Sequence, residues 1–273
     1  MRCLLLVRHL RKGVTVKQFD GIVGGVSGLL ITTALLITAL ASTAMAGTVQ
    51  YSIIDIITGR QVEGYGPTGL NNYGEVTGYA PGAFIFGPGS GVQYLGSLGG
   101  DNSSGAGINN SGQVTGWADT AGNIAQHAFI YTPGSEMTDL GTLGGNWSYG
   151  VGINDSGQVA GVATTAGDTT MHTFIYTPGQ GMQDLGFSVG GYGVGINDSG
   201  QVTGTTAGGD VFLYTPGSGV TYLGSGYGIA INNSGQVTGY NANGAFLYTP
   251  GVGMQSLGAP PGGDARSASE KRI

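Results

Sequence analysis

Most of this sequence has no cysteine. The single one, Cys3, sits in the N-terminal lead. A disulfide framework, a thiolate zinc site and a Cys nucleophile are thereby excluded for the remainder of the chain. Positive charge is nearly as scarce. Of nine Lys and Arg, five (Arg2, Arg8, Arg11, Lys12, Lys17) precede residue 20, and Arg266, Lys271 and Arg272 fall in the last eight residues. Between residues 47 and 262 only Arg60 stands against twelve carboxylates, a net of −11 with His neutral. One cation cannot neutralise a phosphate backbone, so a nucleic-acid partner is excluded, and an anionic membrane surface is disfavoured for the same reason. Charged residues make up 9% of the chain, against a usual level of about 25%. That excludes a coiled coil and a charge-driven disordered chain. Proline is also limited, at 9 residues, and no Gly-X-Y period exists, so collagen is excluded.

Glycine is abundant instead, 57 of 273 residues, beside 40% hydrophobics that still allow a core. The length fits one or two ordinary domains or one large all-β domain.

The N-terminus reads as an export signal. Residues 1–20 are basic, residues 22–41 carry no charge, and Ala44-Met45-Ala46 precedes Gly47 in a small-x-small cleavage pattern. Cleavage is expected between Ala46 and Gly47. The alternative is an uncleaved anchor, since about 20 apolar residues can span a bilayer. Either way the body is expected to be secreted, extracellular or at the cell surface, touching a membrane only through that segment.

The body is repetitive. GLNNYGEVTG begins at 69, GINNSGQVTG at 107, GINDSGQVAG at 152, GINDSGQVTG at 195 and AINNSGQVTG at 230. Each is followed by a phrase such as HAFIYTPG from 127 and then by one such as MTDLG from 137. The period is about 40 residues, the signature of solenoids, propellers or arrays.

Turn chemistry indicates how one repeat folds. In Asn154-Asp155-Ser156-Gly157, Asn accepts a backbone hydrogen bond, Asp and Ser suit the centre of a type I turn, and Gly157 takes the left-handed position of a G1 bulge. In Thr177-Pro178-Gly179, Pro presets φ and Gly supplies φ > 0 for a type II turn. Each repeat therefore reads as four short antiparallel strands, a to d, with c apolar on both faces. Such sheets, stacked on their copies, predict an all-β β-propeller of five four-stranded antiparallel blades of about 40 residues each. The expected domains are 1–46 (signal segment), 47–258 (propeller) and 259–273 (disordered tail). Tyr51–Ile56 looks like an additional strand d that could close the ring, in competition with the strand d of the last repeat.

The order GIN-(N/D)-SGQVTG, HAFIYTPG, MTDLGTLGG resembles the HAF repeat family of bacterial extracellular proteins. The resemblance covers about residues 51–258 and is specific, because three phrases recur in order. The naming motif is intact at His127-Ala128-Phe129 and becomes His-Thr-Phe from 172. The resemblance implies export from a bacterium and no catalytic residues.

Chemistry-bearing patterns are thin. The Asn-Asp-Ser-Gly turns hold at most one acid each, too few for a hard cation wanting six to eight oxygens. His127 and His172 lack an apparent third metal ligand and read as variable loop residues. Asp55, Asp139 and Asp184 share a strand-d position and read as solvated or hydrogen-bonded sites rather than a glycosidase acid pair. No G-x-S-x-G and no phosphate-loop lysine occur. Length variation, however, collects in the b–c and d–a loops, which antiparallel alternation puts on one rim, as expected for a binding face. Residues 117–126 read as one such b–c loop. The candidate ligand-binding residues are Trp117, Asp119, Asn123, His127, Asn146, Trp147, Tyr149, Tyr192 and Tyr227. The expected function is a non-catalytic binding or scaffold module for an extracellular glycan or protein, monomeric and without cofactor or metal. The alternatives are a structural surface or matrix protein without a discrete ligand, and a glycoside hydrolase.

Overall fold

The computed structural model describes residues 5–10, 49–54 and 67–258. The Ala46/Gly47 junction, the apolar run 22–41, Asp55 and the tail 259–273 lie outside the described residues, as does the side chain of Tyr192. In a unit of their own, β1 (Leu5–Leu10) and β2 (Val49–Ile54) pair antiparallel, with Leu5 opposite Ile54. The strand expected from Tyr51 thus takes β1 as its partner.

The repeats are all-β; among the described residues the only helical element is a 3₁₀ turn, Ala121–Asn123. No helix there is long and apolar enough to cross a membrane. The first repeat holds β3 (Pro67–Leu70), β4 (Val76–Tyr79), β5 (Ala83–Gly87) and β6 (Gly91–Tyr94), a four-stranded antiparallel sheet. The second holds β7 (Gly99–Ile108), β8 (Val114–Thr120), β9 (Gln126–Tyr131) and β10 (Met137–Asp139). The third and fourth run through β11 (Gly144–Ile153), β12 (Val159–Thr165), β13 (Met171–Thr177), β14 (Gly181–Ile196), β15 (Val202–Thr206), β16 (Asp210–Thr215) and β17 (Gly219–Ser225). The fifth is again a separate four-stranded sheet, β18 (Tyr227–Ile231), β19 (Val237–Asn241), β20 (Gly244–Thr249) and β21 (Gly253–Gly258).

The picture of five separate sheets is corrected in the middle. Strand d of the third repeat and strand a of the fourth are one continuous strand, β14, of 16 residues. It pairs with β13 along its first half and β15 along its second. With the parallel Trp147–Gln126 bridge between β11 and β9, repeats two to four share one eleven-stranded sheet.

The expected turns form. Gly157, Gly200 and Gly235 have φ of 76°, 73° and 73°. The Gly157 N–H donates to the Asn154 carbonyl at 3.0 Å, closing the hairpin between β11 and β12. Gly179 has φ of 78°, and the Gln180 N–H donates to the Thr177 carbonyl.

Stacking follows a directional code. On each strand c, alternate side chains face opposite neighbours. Ala83 and Ile85 join Ile108, Val114, Phe129 and Tyr131 of the second repeat. Ala128 and Ile130 join Val159, Phe174 and Tyr176 of the third. Val211 and Leu213 join Ile231, Val237, Phe246 and Tyr248 of the fifth. The third residue of each phrase (Phe84, Phe129, Phe174, Phe212 and Phe246) is at most 1% exposed. Burying each contributes roughly 1.5–3 kcal/mol. The contact is close because strand a brings glycine to the interface: Gly105 and Gly150 lie against the hydroxyls of Thr77 and Thr115, leaving no room for a Cβ.

Candidate functional site

The two ends of the strands differ in character. At one end sit the constant turns. Each Asn opening an a–b turn accepts from two backbone N–H groups of its own loop: Asn154 Oδ1 takes those of Ser156 and Gln158 at 3.1 and 2.9 Å. Its Nδ2 then reaches the next repeat. Asn71 donates to the Asn109 carbonyl, Asn109 to that of Asn154, Asn154 to that of Asn197, and Asn197 to that of Asn232, all at 2.9–3.0 Å. A parallel outer row joins the following residues. The Asn72 N–H donates to Asn110 Oδ1, that of Asn110 to Asp155, that of Asp155 to Asp198, and that of Asp198 to Asn233. This amide spine explains the repeated Asn-Asn and Asn-Asp pairs without any metal.

The opposite end is the variable rim. Trp117 and Asp119 lie inside β8 and not in a loop, and Trp147, Asn146 and Tyr149 lie inside β11. Only Asn123 of the second- and third-repeat candidates is outside a strand, in the 3₁₀ turn. The loop expected over residues 117–126 is therefore shorter. Strand b continues to Thr120 because β7 extends with it, through two register shifts, to the Gly99–Thr120 pair. Trp117 pairs with Ala128, and Trp147 bridges to Gln126 two residues away on the same strand, so both tryptophans lie toward the same strand end. Trp147 and Tyr149 also pack against the cluster of Ala160, Val162, Val194 and Phe212. Both are partly buried. The Trp147 ring lies 6.3 Å from that of Tyr149, tilted by 38°.

These side chains are joined to one another. Trp147 Nε1 donates to Gln126 Oε1 at 2.7 Å. Asp119, 9% exposed, accepts from Asn102 Nδ2 at 2.8 Å and from Gln126 Nε2 at 3.2 Å. Two loop clasps flank this chain. Asn123 Oδ1 accepts the Asp101 N–H at 2.8 Å, and Asn123 Nδ2 donates to Asp101 Oδ2 at 2.7 Å. One repeat on, the Asn146 N–H and Nδ2 donate to Asp168 at 2.6 and 2.7 Å. The amide and the acid have exchanged places between the two repeats. Asn123 and Asp168 both hold positive φ, 57° and 53°, which short polar side chains tolerate best. The Asn146 N–H, then the Thr164 hydroxyl, hold the Asp168 carboxyl below the usual carboxylate range.

His127 is not a loop residue. It lies in β9, and its Nδ1 meets the Asp139 carboxylate at 2.9 Å; His172 in β13 meets Asp184 in the same way. Each acid also caps a backbone N–H, of Gly141 and Gly186. The strand-d acids are thus hydrogen-bonded, as expected for Asp139 and Asp184. In the first repeat Gly82 and Tyr94 occupy these positions, and a cavity of about 240 Å³ opens beside Ser97 and Asp101. Among the described residues, no group of three or more His, Cys, Asp or Glu could hold a metal ion.

Tyr227, 48% exposed, belongs to the fifth repeat and stacks on Tyr240 at 4.9 Å, so it does not join the cluster of the second and third. Tyr192 lies in β14. Sequence reasoning missed Gln126, which links the two halves of the rim, and Ile124, 82% exposed at the tip of the b–c turn. The equivalence of Asp101–Asn123 with Asn146–Asp168 shows in the sequence only when the starts of strand a and the b–c turns of the two repeats are aligned.

No family model matches this chain, and no curated protein does. Among solved structures it is similar to TolB from Acinetobacter baumannii, with 15% identity and a TM-score of 0.45, over 60% of this chain and 42% of that one. The chain thus spans under half the length of TolB. It is also similar to a gluconolactonase from Xanthomonas campestris, with 9% identity and a TM-score of 0.46, over 71% of this chain and 76% of that one.

Proposed function

We propose that the chain is an exported bacterial β-propeller-type repeat protein of five blades, and that it binds an extracellular glycan or protein without catalysis. The rim shared by the second and third repeats is the binding face. The observation that carries this reading is that Trp117 and Trp147 lie toward the same strand end, with Tyr149 beside Trp147. Loops clasped by Asp101–Asn123 and Asn146–Asp168 hold that rim in place. Ring faces beside amides and carboxylates suit a sugar, whose C–H faces stack while its hydroxyls exchange hydrogen bonds. A rim ordered before the ligand arrives loses little further entropy on binding.

A structural surface or matrix role is the second reading. It is favoured by the Trp147–Gln126–Asp119 chain, which occupies polar groups that a ligand would otherwise use. The test is a glycan array probed with the full chain and with Trp117→Ala and Trp147→Ala. Trp117→Ala should weaken retention at least tenfold and leave the melting temperature within about 2 °C. Trp147→Ala should weaken it as much and also lower the melting temperature, because Trp147 packs against the third-repeat core cluster. A sharp fall in melting temperature for both variants would make the indoles packing residues and favour the structural role.

A further inference from the structure

The inter-repeat contact is asymmetric, and among the described residues the first and fifth repeats each hold one half of it that no other repeat uses. On its forward side a repeat offers the second Asn Nδ2 hydrogen and the next backbone N–H as donors. It adds the alternate strand-c side chains as an apolar face. On its backward side it offers an Asn carbonyl, a side-chain oxygen one residue on, and the strand-a and strand-d apolar residues. Four such contacts are complete within the chain.

The fifth repeat's forward half is uncovered. Asn232 is exposed, whereas Asn109, Asn154 and Asn197 are 3% exposed. Its Nδ2 keeps its own-loop partner, Gln236, at 2.9 Å, but no carbonyl of another repeat receives its other hydrogen among the described residues. Leu247 is partly exposed, as is Ile85 of the first repeat, while the counterparts Ile130, Ile175 and Leu213 are 8%, 4% and 6% exposed. Thr238, at the position where Thr77 and Thr115 meet the following repeat's glycine, is 8% exposed, where Thr77, Thr115 and Thr203 are fully buried. The backward half of the first repeat is also open. Leu70 is 53% exposed, where Ile108 and Ile231 are 8% and 9%. Val92, on strand d, is 41% exposed.

We infer that a second copy of this chain covers these faces head to tail, the fifth repeat of one copy docking on the first repeat of the next. Asn232 Nδ2 then donates to the partner's Asn71 carbonyl, and the Asn233 N–H to the partner's Asn72 side-chain oxygen. Leu247 packs toward the partner's Leu70. The two surfaces are complementary because each already recognises the other's counterpart four times along the chain. Exposed apolar side chains are a cost that such a contact removes. The contact is heterologous, so it generates closed rings or open fibres rather than an isologous pair. Such a contact takes the five blades as an open array rather than a ring closed within one chain, differs from the monomer that the sequence suggested, and does not depend on the rim's ligand.

The experiment is sedimentation of the full chain at rising concentration, with Leu70→Glu and Leu247→Glu. Wild type should reach twice the chain mass or a higher multiple. Each variant alone should stay at the chain mass, because every contact then lacks one half. An equimolar mixture should recover a dimer and nothing larger, since the intact fifth repeat of Leu70→Glu fits the intact first repeat of Leu247→Glu. Asn232→Asp and Val92→Glu repeat the test at exposed positions if either leucine variant loses its circular dichroism. Wild type at the chain mass, including through closure of its own two ends, overturns the inference. So does a mixture of folded variants that remains monomeric.

Discussion

Single residues carry the sharpest consequences of this fold. Gly157 sits at φ of 76° with Gln113 Oε1 3.2 Å from where a Cβ would stand. Gly157→Val should therefore destabilise by roughly 1–3 kcal/mol, measured by urea denaturation, because a β-branched residue is strained in that conformation. Asp168 gives a prediction in pH. The Asn146 N–H, the Thr164 hydroxyl and the Asn146 amide favour its charged form. A carboxylate with a depressed pKa contributes stability above its unfolded value of about 3.9 and loses it as pH falls through the folded value. The Asn146 amide resonance should hold steady down to about pH 4 and move only below it. In Asp168→Asn the movement should vanish. A wild-type titration centred above pH 5 would contradict the depressed value. These residues differ in how far the sequence exposed them. The Gly157 conformation follows from four adjacent residues and was legible. The Asp168 clasp depends on Asn146, 22 positions away, and no local rule reveals it.

At the scale of elements, the hairpins were legible and the strand ends were not. Turn residues set the a–b and c–d connections because their preferences act within a few bonds. The ends of β8 and β11 depend on whether two strands stay paired, which is decided by partners distant in sequence. For that reason Trp117 and Trp147 read as loop residues and proved to be strand residues. The His127–Asp139 and His172–Asp184 pairs likewise couple strands c and d only once their register is fixed. Side-chain exposures of 20% for His127 and 44% for Asp139 make the pair a modest contributor. A double-mutant cycle of His127→Ala and Asp139→Ala should give a coupling of about 0.2–1 kcal/mol. A coupling above 3 kcal/mol would indicate a buried network absent from this geometry.

For the whole molecule, a repeat array predicts stability that adds along the chain. Ending the chain after Ser225 uncovers Val211 and Leu213, now 0% and 6% exposed. The four remaining repeats should still fold, with the denaturation midpoint lowered by the loss of about 1.5–3 kcal/mol for each uncovered side chain. Complete unfolding on truncation would instead mean that the ends of the chain depend on each other. The five copies and their order were plain in the sequence. The joining of the third and fourth was not, because GFSVGGYGVGI from 186 gives no sign whether the chain pauses there. That continuity bears on how the array can change by duplication. A recombination event at Leu95–Leu98 falls between strands and transfers a whole module with its pairing intact. One at Leu140–Leu143 also falls between strands and breaks only the Trp147–Gln126 bridge. One within β14 severs a strand that two modules share, so the third and fourth are inherited together or lost together.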